Sequence, residues 1–178
     1  MSFDLQFKDL DLPLHGVRLP AFTIENKQKR SLGLSEDTTN EQFLLTLCQN
    51  GSKTLNLETE EYKKRLDHEF NIIKELGFID YILLVWDVIN FCKESQIPTG
   101  LGRGSAAGSL VLYLIGVTKI DPLKYNLYFE RFISKIRAKK QVVDGITYLD
   151  GSLMAEVDLD ICYYNRHKVL EYLENKFK

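Results

Sequence analysis

The stretch from Asp80 to Lys93 is apolar nearly all the way round a helix, with Ile82, Leu83, Leu84, Val85, Trp86, Val88, Ile89 and Phe91 distributed over every face. Such a helix is stable only when other elements cover it, so the chain must build its core around this segment. Asp80 and Asp87 interrupt the run, which falls far short of the ~20 apolar residues a membrane span needs, and no membrane helix is expected. Just before it, Thr59 predicts an N-cap with Glu60 and Glu61 in the first turn. Beyond that cap Tyr62, Leu66, Phe70, Ile73 and Leu76 recur at helical spacing up to a stop at Gly77. With 178 residues, 44% hydrophobic and 27% charged, the chain has room for one well-buried soluble core.

The remaining segments are shorter. Residues 1–37 hold Pro13 and Pro20 and no sustained period, and read as an extended arm. Thr38 or Thr39 caps a short helix with Phe43, Leu44 and Leu47 that ends near Gly51. A third helix with Leu110, Val111, Tyr113 and Leu114 follows the glycine-rich run at 100–105 and closes at Gly116. Asp144-Gly145 and Asp150-Gly151 then punctuate a predicted three-stranded meander over 140–143, 146–149 and 153–161. The last helix, Tyr164 to Phe177, carries a stripe of Val169, Leu170, Leu173 and Phe177.

A net charge of -2 excludes a protein that holds nucleic acid by bulk electrostatics alone. Cys48, Cys92 and Cys162 are odd in number and widely spaced, the usage of reduced thiols rather than a disulfide framework or zinc knuckle. The start Met1-Ser2-Phe3-Asp4 lacks the basic and apolar regions of a secretory signal. The cytoplasm is the expected compartment.

Two motifs carry chemistry. In the run Gly100 to Ser109, glycines let the backbone turn tightly ahead of a helix, and Gly102, Arg103, Gly104 and Ser105 supply amide donors, a guanidinium and a hydroxyl suited to a polyphosphate. The plain alternative is a helix-entry turn. No lysine makes the run a Walker A loop, and Gly102-x-Gly104-x-x-Ala107 has only Ile97-Pro98-Thr99 before it, a poor strand for a dinucleotide fingerprint. In Val157-Asp158-Leu159-Asp160-Ile161, strict alternation puts both carboxylates on one face. Side chains two apart on a strand emerge ~7 Å from one another, so both can lean onto divalent cations held ~4 Å apart in a two-metal phosphoryl-transfer site. A half-exposed strand with an acidic solvent face is the alternative. Arg131, Lys135, Arg137, Lys139 and Lys140 add a basic cluster able to meet triphosphate or nucleic-acid backbone, while His15, His68 and His167 stand isolated.

A phosphate-binding turn followed by an Asp-x-Asp strand resembles the palm of nucleotidyltransferases related to DNA polymerase beta. More closely, Ile97 to Ser109, Ile120-Asp121-Pro122-Leu123, Phe129-Glu130-Arg131-Phe132 and Asp158-Leu159-Asp160 resemble the C-family bacterial replicative DNA polymerases, the alpha subunits of DNA polymerase III. The resemblance covers about residues 62–178, and more loosely a connector over 12–51. Leu101, where the family usually has proline, and a longer segment between Arg137 and Met154 depart from its pattern; Glu156 replaces a frequent aspartate.

The resemblance implies an α+β fold, a polymerase-beta-like nucleotidyltransferase palm with helices packed on a small mixed sheet. It divides the chain into a connector arm with a short helix, 1–58, and a partial palm, 59–178, with a β-hairpin insertion at about 138–153. It implies a part of the palm of a DNA-directed DNA polymerase that transfers deoxynucleotides from dNTPs to a primer 3' end. Asp158 and Asp160 would be the catalytic, metal-binding acids for two Mg2+ ions. Gly102, Arg103, Gly104 and Ser105, with Arg131, would hold the dNTP triphosphate. Primer-template DNA, a sliding clamp and a clamp loader are the implied partners, the last two through regions outside this chain. The third catalytic carboxylate also lies outside it in the family's layout, so the chain alone is expected to be inactive. The competing class is a non-catalytic palm-like binding module or structural fragment, indifferent to magnesium.

Overall fold

The computed structural model describes residues 21–134 and 155–177, together with the strand segments 16–18, 140–143 and 146–150. Among the described residues, six α-helices run in the order α1 (Asn26–Ser31), α2 (Asn40–Thr54), α3 (Glu60–Glu75), α4 (Ile79–Glu94), α5 (Leu110–Leu114) and α6 (Arg166–Lys176). Short 3-10 turns at Gly104–Gly108, Phe129–Arg131 and Tyr163–Asn165 link them.

The helix starts follow side-chain chemistry. Thr39 accepts from the Gln42 amide at 3.2 Å while the Gln42 side chain accepts from the Thr39 amide at 3.0 Å, a reciprocal cap that opens α2. This helix does not end at Gly51 as its sequence predicts. Gly51 lies inside it, and a Cβ there would overlap the carbonyl oxygen of Leu114, so the glycine lets α5 press backbone to backbone against α2. Helix α3 ends with Gly77 at φ +78, the left-handed position predicted for that stop. The third predicted helix is split: the 3-10 turn Gly104–Gly108 comes first and α5 begins only at Leu110, capped by Ser109.

Helix α4 is the centre of the molecule, as its all-round apolar sequence demands. It buries Ile82, Leu83, Val85, Trp86, Val88, Ile89 and Cys92. Phe43 and Leu44 of α2, Phe70 and Ile73 of α3, and Leu110 and Val111 of α5 join its main cluster, with Phe22, Ile24 and Phe129 from the connecting segments. Phe43 meets Trp86 edge-on at 5.3 Å between ring centroids. Each such large apolar side chain stabilises the fold by about 1.5–3 kcal/mol when fully buried. A second, smaller cluster of Val88, Cys92, Ile97 and Val169 docks α6. All three cysteines are free. Among the described residues no helix is long and apolar enough to cross a membrane.

The expected α+β palm, with helices packed on a small mixed sheet, is not what the core contains. Helix packs on helix. The strands present, β1 (Gly16–Arg18), β2 (Lys140–Val143) and β3 (Ile146–Asp150), form an antiparallel ribbon in the order β1-β3-β2. Among the described residues no parallel pair makes a mixed sheet. The mixed sheet was implied by the family resemblance; the third strand of the predicted meander, a separate expectation, is not formed either. Residues 155–160 show the expected alternation of burial but belong to no strand, and Ile161 makes a single antiparallel bridge with Thr99. Alternation reports which side faces the core; it does not supply a neighbouring strand.

Candidate functional site

The glycine-rich run and the acidic segment are joined side by side. The Gly100 amide donates to the Asp160 carbonyl at 2.8 Å and the Cys162 amide to the Pro98 carbonyl at 3.0 Å. This approach needs the glycine, because a Cβ on Gly100 would lie 2.9 Å from the Cβ of Asp160. Val157 and Leu159 pack toward the main cluster while Asp158 and Asp160 stand on the exposed side, as the alternation predicts. The Val157 amide donates to the Tyr81 hydroxyl at 3.2 Å, fixing the segment to α4. Burial raises the Tyr81 pKa, and the nearby Glu156 and Asp158 raise it further.

The two carboxylates converge on one cation. Arg103 places Nε 3.1 Å from Asp160 Oδ1 and Nη1 3.2 Å from Asp158 Oδ2. Two like charges held on one face repel, and here one guanidinium pairs with both and offsets part of that repulsion. All three side chains are about half exposed, so the contacts are screened and readily exchanged. The donor set fits magnesium, since both acids offer oxygen ligands and already share one cationic partner. Among the described residues no group of three or more metal-ligating side chains assembles.

Beside this cluster lies an open cleft of about 400 Å3 lined by Gly104, Ser105 and Gly108 on one wall and Asn126, Leu127, Tyr128 and Arg131 on the other. Gly104, at φ +64, belongs to both features: it lines the cleft, and a Cβ there would lie 3.6 Å from Asp158 Oδ2. Of the sequence-predicted residues, Gly104, Ser105 and Arg131 thus share the cleft, and Arg103, Asp158 and Asp160 share the adjoining ion cluster. Gly102 does neither; at φ +99 it turns over Thr118, whose Cγ2 a Cβ would approach to 2.8 Å. Of the predicted basic cluster, Lys135, Arg137 and Lys139 lie outside the described residues, and Lys140 begins β2.

The start of α5 is occupied by a carboxylate of the chain itself. Glu69, fully buried on α3, accepts from the Leu110 amide at 2.9 Å, the Val111 amide at 3.1 Å and the Ser109 hydroxyl at 2.9 Å. Its remaining partner is Arg65 Nε at 2.6 Å. Burial pushes the Glu69 carboxyl above its ordinary pKa, and the Leu110 and Val111 amides, with Arg65, pull against that. Sequence reasoning missed this pair. The signal was there: Glu69 stands on the apolar face between Leu66, Phe70 and Ile73, with an arginine four residues before it.

An acid pair, an arginine that spans it and an adjoining cleft are thus brought together on a helical domain. Residues 42–178 match the family described as the bacterial DNA polymerase III alpha NTPase domain. The chain is 40% identical over 146 residues to the DNA polymerase III subunit alpha of Aquifex aeolicus, an alignment covering 79% of this chain and 11% of that protein. It is 36% identical over 167 residues to the same subunit of Staphylococcus epidermidis, covering 94% and 13%. With that of Chlamydia muridarum it shares 36% over 181 residues, covering 92% and 14%. The chain belongs to the bacterial DNA polymerase III alpha family. It spans about an eighth of the length of the curated relatives it matches.

Proposed function

We propose that this chain is part of the catalytic region of a DNA-directed DNA polymerase, in which a primer 3' oxygen attacks the alpha-phosphorus of a deoxynucleoside triphosphate and pyrophosphate leaves. The observation that carries this reading is Arg103 spanning Asp158 and Asp160 next to Gly104, the residue shared with the cleft. The triphosphate lies along Gly104 and Ser105, with Arg131 on the facing wall as its cationic contact. Arg103, exposed and held only by screened ion pairs, turns from the carboxylates to phosphate oxygens when nucleotide enters. Two magnesium ions, when bound, would be held by Asp158 and Asp160 and would stabilise charge on the transferring phosphoryl group. Primer-template DNA, a sliding clamp and a clamp loader are partners of the longer protein, the last two through regions outside this chain. The chain by itself is expected to turn over poorly.

The test is an amide NMR titration with a deoxynucleoside triphosphate and trace Mn2+ as the paramagnetic substitute for magnesium. Broadening centred on 102–105 and 158–160, abolished by Asp158→Asn, is the expected result. Scattered broadening that Asp158→Asn leaves unchanged would favour the second reading, a non-catalytic binding module in which Arg103 stays paired with the acids permanently.

A further inference from the structure

Arg65 lies behind the cleft and lines none of it, yet it touches both walls. Its Nη2 donates to the Gly108 carbonyl at 2.9 Å and to the Leu127 carbonyl at 3.0 Å, one residue on each side of the cleft. Its Nε is fixed at 2.6 Å by Glu69, which holds the start of α5 through three further hydrogen bonds. We infer that Arg65 is the positioning residue that sets the separation of the two cleft walls, and with it the fit of the triphosphate group; this rests on the reading of the cleft given above.

The geometry makes the role specific to arginine. One nitrogen bonds both carbonyls, so the distance between Gly108 and Leu127 cannot change without breaking a bond to Nη2. A second nitrogen of the same rigid plane is anchored to a carboxylate that is itself fully buried. The walls meet at the back of the cleft with no slack, since a Cβ on Gly108 would lie 2.6 Å from the Tyr128 carbonyl oxygen. Lysine offers a single nitrogen, which satisfies Glu69 or the two carbonyls but not all three. It preserves the charge that Glu69 needs while releasing the walls.

The experiment compares wild type with Arg65→Lys and Glu69→Gln, and with Ile73→Val as a core variant that leaves the cleft alone, by thermal melting, amide NMR without ligand, and calorimetric titration with dATP and with inorganic tripolyphosphate. Arg65→Lys is expected to weaken both ligands about tenfold, with ligand-free shift changes gathered at 104–109 and 126–131. Ile73→Val should bind as wild type at a comparable loss of melting temperature. If Arg65→Lys binds as wild type, or loses no more affinity than Ile73→Val, the inference fails. If wild type binds neither ligand, the reading of the cleft fails, and the ligand-free shifts still decide whether Arg65 holds the walls. Should Arg65→Lys not fold, Glu69→Gln, which frees the Nε anchor, must move the same two sets of amides or the inference is wrong.

Discussion

Lys176 Nζ lies 2.8 Å from Asp87 Oδ2, joining the last turn of α6 to the middle of α4 where the carboxylate is 1% exposed. The Tyr172 hydroxyl donates to the same oxygen at 2.6 Å, and Gln28 of α1 donates to Oδ1 at 2.8 Å. Two segments far apart in sequence, α1 and α6, are therefore tied to one buried charge on α4. The hydrogen bonds to Asp87 and Tyr172 raise the Lys176 pKa, although its own burial opposes that.

Removing one partner of a buried ion pair leaves the other uncompensated, at a cost of about 3–5 kcal/mol. Lys176→Met is expected at the low end, about 3 kcal/mol, because its side chain keeps 14% exposure. Urea denaturation measures it. Adding Asp87→Asn to Lys176→Met should recover part of the loss, and strict additivity of the two would deny the coupling.

Arg103→Gln separates stability from binding. Its ion pairs are solvent-exposed, so the melting free energy should fall by less than about 1 kcal/mol. With the competing guanidinium gone, Mn2+ should bind the Asp158 and Asp160 pair several-fold more tightly while dATP binds more weakly. Calorimetric titration reads both. A parallel loss of the two ligands would contradict the exchange proposed for Arg103.

Two tyrosines should titrate late. Tyr62 is shifted from 10.0 to about 12 by burial and by its 2.6 Å hydrogen bond to Asp121, and Tyr172 to about 12 by burial and by Asp87. The folded state holds both protons more tightly than the unfolded chain does. Their contribution to stability is thus fully present below pH 10 and is lost as the pH rises toward 12. Ultraviolet titration of the nine tyrosines should show a late phase that shrinks in Tyr62→Phe and again in Tyr172→Phe.

Thr118 is 2% exposed beneath Gly102, and its Oγ1 has no hydrogen-bond partner among the described residues. Burying an unpaired hydroxyl costs about 1–3 kcal/mol. Thr118→Val keeps the shape and removes the hydroxyl, so denaturation should show stability unchanged or raised by about 1 kcal/mol. A clear loss would mean that the hydroxyl has a partner.

What the sequence made legible was local. Thr59, Gly77 and the periodicity of α3 and α4 announce those helices because capping and burial are decided within a few residues. The alternation at 157–161 announces which side Asp158 and Asp160 take, for the same reason. Tertiary proximity stayed hidden. Nothing near Gly51 says that Leu114 will press on it, and nothing near Val157 says whether a strand or a tyrosine hydroxyl will meet its amide. The absence of a strand partner there is what removed the third strand of the predicted meander. Glu69 was legible in principle, as a charge out of place on an apolar face; its partners at Ser109 to Val111, some 40 positions away, were not.

The bridge between Thr99 and Ile161 has a consequence for how such a site tolerates change. The chain leaves the bridge and returns to it, so Arg103 and Asp160, 57 positions apart, keep their register whatever the length of the excursion between them. Closing a loop twice as long costs only about 0.6 kcal/mol more. Length added to the excursion between them is therefore expected to leave the distance from the arginine to its acids unchanged.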